Sequence, residues 1–98
     1  MKIVISQAMK GKSKEEIEAR RAALVKDLEA QGHKVVNTLY SDYNACGNIP
    51  LQCLSRTIGQ IAVVDKVYFL GEDWNSSRGC IVENMICNLY GIPFEIVK

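Results

Sequence analysis

The stretch Lys66-Val-Tyr-Phe-Leu70-Gly-Glu-Asp-Trp-Asn-Ser-Ser-Arg-Gly-Cys80-Ile-Val-Glu-Asn-Met-Ile-Cys-Asn-Leu-Tyr90-Gly-Ile-Pro-Phe-Glu-Ile-Val97 decides the fold. Residues 66–70 are apolar, β-branched and aromatic, the composition of a buried strand. Residues 71–76 are mostly polar, residues 77–90 recur at helical spacing, and Gly91 supplies a helix stop. Residues 94–97 return to strand character. Two strands joined through a helix run parallel, because a crossover brings the chain back to the same end of the sheet.

The N-terminal half repeats the pattern. Residues 2–6 read as a buried strand, and Ser13-Lys-Glu-Glu16 has the form of a capping box that starts a helix. Ile17, Leu24 and Leu28 recur along it until Gly32, and residues 34–37 form a second strand. Residues 40–50 read as a long polar loop, with Pro50 in the first position of the next helix. Leu51, Leu54, Ile58 and Ile61 or Ala62 would carry that helix's apolar face. The order βαβ, loop, αβαβ predicts an α/β fold in one domain over residues 1–98. It is a truncated doubly wound, Rossmann-like parallel sheet of four strands in order 2-1-3-4, with helices on both faces.

Composition narrows the functions. Of 98 residues, 48% are hydrophobic and 23% charged, which suits a globular domain rather than a disordered one. Twelve basic against eleven acidic residues leave a formal charge of +1, which removes the electrostatic case for nucleic acid polymers or anionic membranes. Residues 1–5 are too short for a secretory leader and no stretch has the length of a membrane span, so a cytoplasmic protein is expected. Cys46, Cys53, Cys80 and Cys87 form no close ligand pair and the single histidine is His33. Free thiols and no metal site are the expectation.

In such a sheet the ligand crevice lies outside the carboxyl ends of the first and third strands, where connections depart in opposite directions. Two segments emerge there: Ser6-Gln7-Ala8-Met9-Lys10-Gly11-Lys12 and residues 71–79. Ser76 or Ser77 can cap the third helix, which leaves amides and the positive dipole end facing the crevice. Gly79 lets a ligand approach the backbone, and Arg78 offers a fork of donors for phosphate or carboxylate. Ile81, Val82, Met85, Ile86 and Leu89 read as the core stripe, with Glu83 at its edge one turn after Gly79. Two readings fit Glu83: a partly desolvated nucleophile or base, or a boundary side chain that reaches water.

The first loop lacks both the phosphate-loop and dinucleotide fingerprints, so a ligand-lining loop and a plain βα turn both fit it. Trp74 either stacks on a base or sugar or wedges its loop against the domain. Asp42, Tyr43 and Asn44 are candidates at the mouth, Asp65 reads as a turn residue, and His33 as a solvent-facing one.

Five segments together resemble the DUF4406 family, small proteins of bacteria and their phages that are similar to the nucleoside 2-deoxyribosyltransferase superfamily. They are residues 2–11, 32–37, 65–70, 74–83 and 90–93, in the same order over nearly the whole chain. Trp74-Asn-Ser-Ser-Arg-Gly-Cys-Ile-Val-Glu83 is the most specific. The resemblance implies a flavodoxin-like domain that cleaves or exchanges the N-glycosidic bond of a nucleoside or nucleotide in a bacterial cytoplasm. It implies that Glu83 attacks the anomeric carbon, that Ser77 contacts a 5′-phosphate, and that residues 7–11 line the base and sugar pocket. The transferase branch has an aspartate where this chain has Ser77, which favours a phosphate-bearing substrate. The catalytic branches also carry an aspartate on the preceding helix, where this chain reads Leu54-Ser-Arg-Thr57-Ile58 without a carboxylate. Asp73 or Asp42 would have to supply one from a loop.

The expected catalytic residue is therefore Glu83, and the expected substrate-binding residues are Ser6, Gln7, Ala8, Met9, Gly11, Trp74, Ser77, Arg78 and Gly79. No cofactor is expected. The expected partners are a small-molecule nucleotide or nucleoside and further copies of the chain, as a dimer or higher oligomer. A non-catalytic binder that senses or sequesters a nucleotide or nucleotide-derived signal is the alternative function.

Overall fold

The computed structural model describes residues 1–9, 11–40 and 42–97; Lys10 of the first loop lies outside them. β1 (Lys2–Gln7) has a parallel neighbour on each side, so its residues are apolar on both faces and Ile3, Val4 and Ile5 are almost completely buried. It pairs with β2 (Lys34–Val35) through Lys2 opposite Lys34, and with β3 (Lys66–Leu70) from Ile3 opposite Lys66 to Gln7 opposite Leu70. β4 (Phe94–Val97) adds to β3, with Val67 opposite Phe94. All pairs are parallel and the order is β2-β1-β3-β4, as the alternation of strands and helices predicts.

The strand period of two divides the core. Ile3, Ile5, Tyr68 and Leu70 meet Leu28, Leu24 and Val25 of α1 (Lys14–Ala30). Val4, Val67 and Phe69 meet Ile61 of α2 (Ile49–Ile61) and Cys80 and Cys87 of α3 (Arg78–Tyr90). Each large apolar side chain buried this way contributes roughly 1.5–3 kcal/mol against the entropy of ordering the chain. No helix among the described residues is long and apolar enough to cross a membrane.

Local signals set the helix ends. Ser13 Oγ accepts from Glu16 N at the start of α1, and Asn48 Oδ1 accepts from Leu51 N at the start of α2. Asn48 places Pro50 second in α2 rather than first, still inside the turn where a missing N–H costs nothing. Along α2, Thr57 and Ile61 are buried while Leu51 is 58% exposed, so the buried row starts later than the apolar pattern implies. Gly91 ends α3 at φ 69°.

β2 is two residues long rather than the four expected from residues 34–37. Val36 N still bonds Ile3 O at 2.8 Å, but beyond that a side chain replaces the ladder. Arg21 of α1 donates to Ile5 O and Val36 O, and also to Gln7 Oε1 and Thr38 Oγ1. The guanidinium thus satisfies carbonyls that a longer strand would have paired.

Candidate active site

Glu83 lies on the inward face of α3, not at the edge of its core stripe. Cys80 and Cys87 are small enough to let the helix lie close on the sheet, and Glu83 stands between them; all three are buried. The bulkier Ile81, Met85 and Leu89 point outward and are 42%, 55% and 74% exposed. The reading of Glu83 as a boundary side chain is therefore set aside.

Glu83 is 7% exposed, and its Oε2 is buried with no hydrogen-bond partner among the described residues. A buried polar atom without a partner costs about 1–3 kcal/mol, so its persistence points to a role other than stability. Burial pushes the Glu83 carboxyl up to about 7; the Ser6 hydroxyl and the positive charge of Arg21 oppose it by favouring the ionised form. A carboxyl that titrates near neutral pH serves both nucleophilic and acid–base chemistry. Asn84 Nδ2, a donor on the same helix, is also buried without a partner among the described residues.

The surroundings of the carboxylate come from two loops. Ser77 caps α3, its Oγ accepting from Cys80 N at 3.4 Å, and Ser76 instead closes the short 3-10 turn Trp74–Ser76 by donating to Asp73 O. The first-turn amides of Arg78 and Gly79 have no acceptor within the helix. A Cβ placed on Gly79 would lie 4.0 Å from Glu83 Oε1 and 3.9 Å from Ser77 Oγ, so the glycine leaves a gap bordered by cap and carboxylate. From β1, Ser6 turns its hydroxyl to the same side, 3.1 Å from Cys80 Sγ. Burial pushes the Cys80 thiol up and the Cys87 thiol up to about 11, so neither is a thiolate nucleophile at neutral pH.

Ser6, Ser77, Gly79 and Glu83 are thus brought together, with Ala8 buried close by at the end of β1. Gln7 points to the opposite face of the sheet, where its amide donates to Ile17 O and accepts from Arg21. Met9 and Gly11 are exposed in the turn that follows, with Gly11 at φ 80°, and Arg78 is exposed at the start of α3. Trp74 packs its ring 5.3 Å from that of Phe69, which supports the wedge reading of this residue.

Neither loop carboxylate considered as a substitute is free. Asp73 pairs with Lys12 at 2.7 Å and Arg20 at 3.3 Å, and these cations hold its carboxyl down at about 2. Asp42 pairs with Arg56 at 2.7 Å, which lowers it too. The Lys12 pair ties the β1–α1 loop to the β3–α3 loop, and the Arg20 pair ties α1 to it. Asp65 holds the turn before β3 by accepting from Lys2 N at 2.7 Å, and His33 Nδ1 lies 3.2 Å from the N-terminal amine.

Arg21, Thr38 and Tyr40 escaped the sequence reading, and Thr57 entered it only as a position without a carboxylate. Arg21 has a signal, since it falls in the stripe of Ile17, Leu24 and Leu28, and Thr57 falls between Leu54 and Ile61 in the same way. Tyr40 has none: the loop brings its hydroxyl to 3.3 Å from Thr57 Oγ1. Two surface grooves of about 190 and 300 Å³ flank α1, lined by Arg21, Val25 and Val36 and by Arg20, Leu70 and Val97 respectively, and Glu83 lines neither. Comparison with protein-family models, curated proteins and solved structures matched nothing.

Proposed function

We propose that the crevice between the β1–α1 and β3–α3 loops takes a nucleotide or nucleoside, and that Glu83 attacks its anomeric carbon to cleave or exchange the N-glycosidic bond. The observation that carries this is the buried Glu83 carboxylate, whose Oε1 borders the gap at Gly79 and whose Oε2 has no partner among the described residues. Support comes also from the Ser77 cap and the exposed guanidinium of Arg78, a setting suited to a 5′-phosphate. The chemistry is that of a retaining glycosidase, in which a carboxylate forms a glycosyl-enzyme that water or a second base then resolves.

Incubation of the protein with deoxynucleoside monophosphates is expected to release free base, and Glu83→Gln to stop the release. A full panel left intact after long incubation ends the proposal.

One observation favours the second reading, a binder without turnover. The inward position of α2 carries Thr57 rather than a carboxylate, while Asp73 and Asp42 are both engaged by cations. On that reading calorimetry finds tight binding of an unchanged nucleotide, weakened by Arg78→Ala. A second copy of the chain is the proposed partner. It would cover the outward row of Ile81, Met85, Leu89 and Tyr90, on the same helix as Glu83.

A further inference from the structure

We propose that the Asp73 carboxylate is a strap that locks the turn Trp74–Ser76, and with it the capped end of α3, to α1 and the β1–α1 loop. Asp73 is then a positioning residue for the ligand site, a role that rests on the nucleotide reading of that site.

The turn needs an anchor because it has little of its own. Trp74–Ser76 is a single 3-10 turn, a geometry with few and poorly directed hydrogen bonds. Asp73 O accepts from Ser76 N at 3.1 Å and from Ser76 Oγ at 2.7 Å, and Trp74 O accepts from Ser77 N at 3.2 Å. Ser77 Oγ then accepts from Cys80 N at the start of α3 and borders the gap at Gly79. Hydrogen bonds thus run without a break from Asp73 to the helix end offered to the ligand. The side chains that tie this turn to the body of the fold are Trp74, packed on Phe69, and Asp73, which meets Lys12 at 2.7 Å and Arg20 at 3.3 Å.

An isolated surface ion pair would carry little. Three features set this one apart. One carboxylate joins cations from two places, Lys12 of the β1–α1 loop and Arg20 of α1, so both sides of the crevice meet at it. The three side chains are only 23–34% exposed. Gly71, at φ 95°, leaves the space that Arg20 Nη2 occupies; a Cβ there would collide with it and crowd Asp73 Oδ1 at 2.7 Å. The two cations hold the Asp73 carboxyl at about 2, so the strap stays charged at neutral pH and yields to salt rather than to protons.

Trp74 is the only tryptophan of the chain, so its fluorescence reports on this turn alone. Asp73→Asn is expected to raise acrylamide quenching of Trp74. Sodium chloride at about 1 M is expected to raise it in the wild type but not in the variant. Affinity for 2′-deoxyguanosine 5′-monophosphate, measured by calorimetry or as KM where the nucleotide is cleaved, is expected to fall about five-fold in Asp73→Asn. Lys12→Met is expected to weaken it too, and the double variant no further than Asp73→Asn alone, because Lys12 acts through the carboxylate. Unchanged quenching in Asp73→Asn overturns the strap, whether or not the nucleotide binds. Raised quenching with unchanged affinity overturns the positioning role. Additive losses for Asp73 and Lys12 put Lys12 on the ligand itself and overturn that role as well. A wild type that binds no nucleotide overturns the nucleotide reading and the positioning role with it, while the quenching still decides the strap.

Discussion

At the scale of single residues, Glu83 ties stability to pH. Its folded value of about 7 lies above the ordinary 4.5, so between those two values the folded chain binds more protons than the unfolded one. Stability therefore falls as pH rises across that window, and the loss is complete above about 7, at an order of about 3 kcal/mol. Glu83→Gln removes the ionisable group, so its Tm is expected to exceed that of the wild type at pH 8 and to approach it at pH 5. Thermal melts at the two pH values check this, and equal melting temperatures at pH 8 would contradict it. The identity of this residue was legible in its spacing from Ser77 and Gly79, but its depth was not. Hydropathy places the stripe where apolar residues are densest, whereas the helix rolled to seat two small cysteines on the sheet. Arg21 was hidden by the same habit, a charge inside an apolar stripe whose acceptors come from carbonyls that no side-chain pattern reveals.

The connections between elements, more than the elements, shape the surroundings of Glu83. β3 passes into its loop through Gly71 at φ 95°, where a Cβ would also collide with Arg20 Nη2. That passage lets Arg20 reach Asp73, which holds Lys12 as well. Gly71→Ala is expected to cost about 1–2 kcal/mol from the left-handed backbone alone. Asp73→Asn is expected to cost about 1 kcal/mol or less, because its ion pairs are partly solvated and screened. Urea denaturation of both variants checks the order, and a larger loss for Asp73→Asn would show that the ion pairs outweigh the backbone. Helix starts were legible to within a residue or so because Ser13, Asn48 and Ser77 carry local caps. The end of β2 was not, because it depends on a guanidinium arriving from α1.

At the scale of the molecule, strand order followed from alternation alone: parallel strands need crossovers, and the crossovers put helices on both faces. What a single chain leaves uncovered is the outward row of α3, with Leu89 74% and Tyr90 78% exposed. Sedimentation is expected to find a dimer or larger assembly, and Met85→Glu with Leu89→Glu to return it to monomer; a wild-type monomer at high concentration would count against assembly through this face. The candidate site was legible as a place, since topology points to the β1 and β3 ends, and Ser6, Ser77, Gly79 and Glu83 come together there. The central claim is that Glu83 forms a bond to the sugar. Its most direct test is intact mass and peptide mapping after incubation with a 2′-fluoro deoxynucleotide, whose fluorine slows release of the glycosyl-enzyme. A sugar phosphate attached to the peptide that holds Glu83, and absent in Glu83→Gln, is the predicted result. An unmodified protein after prolonged incubation, or an adduct on another residue, would contradict it.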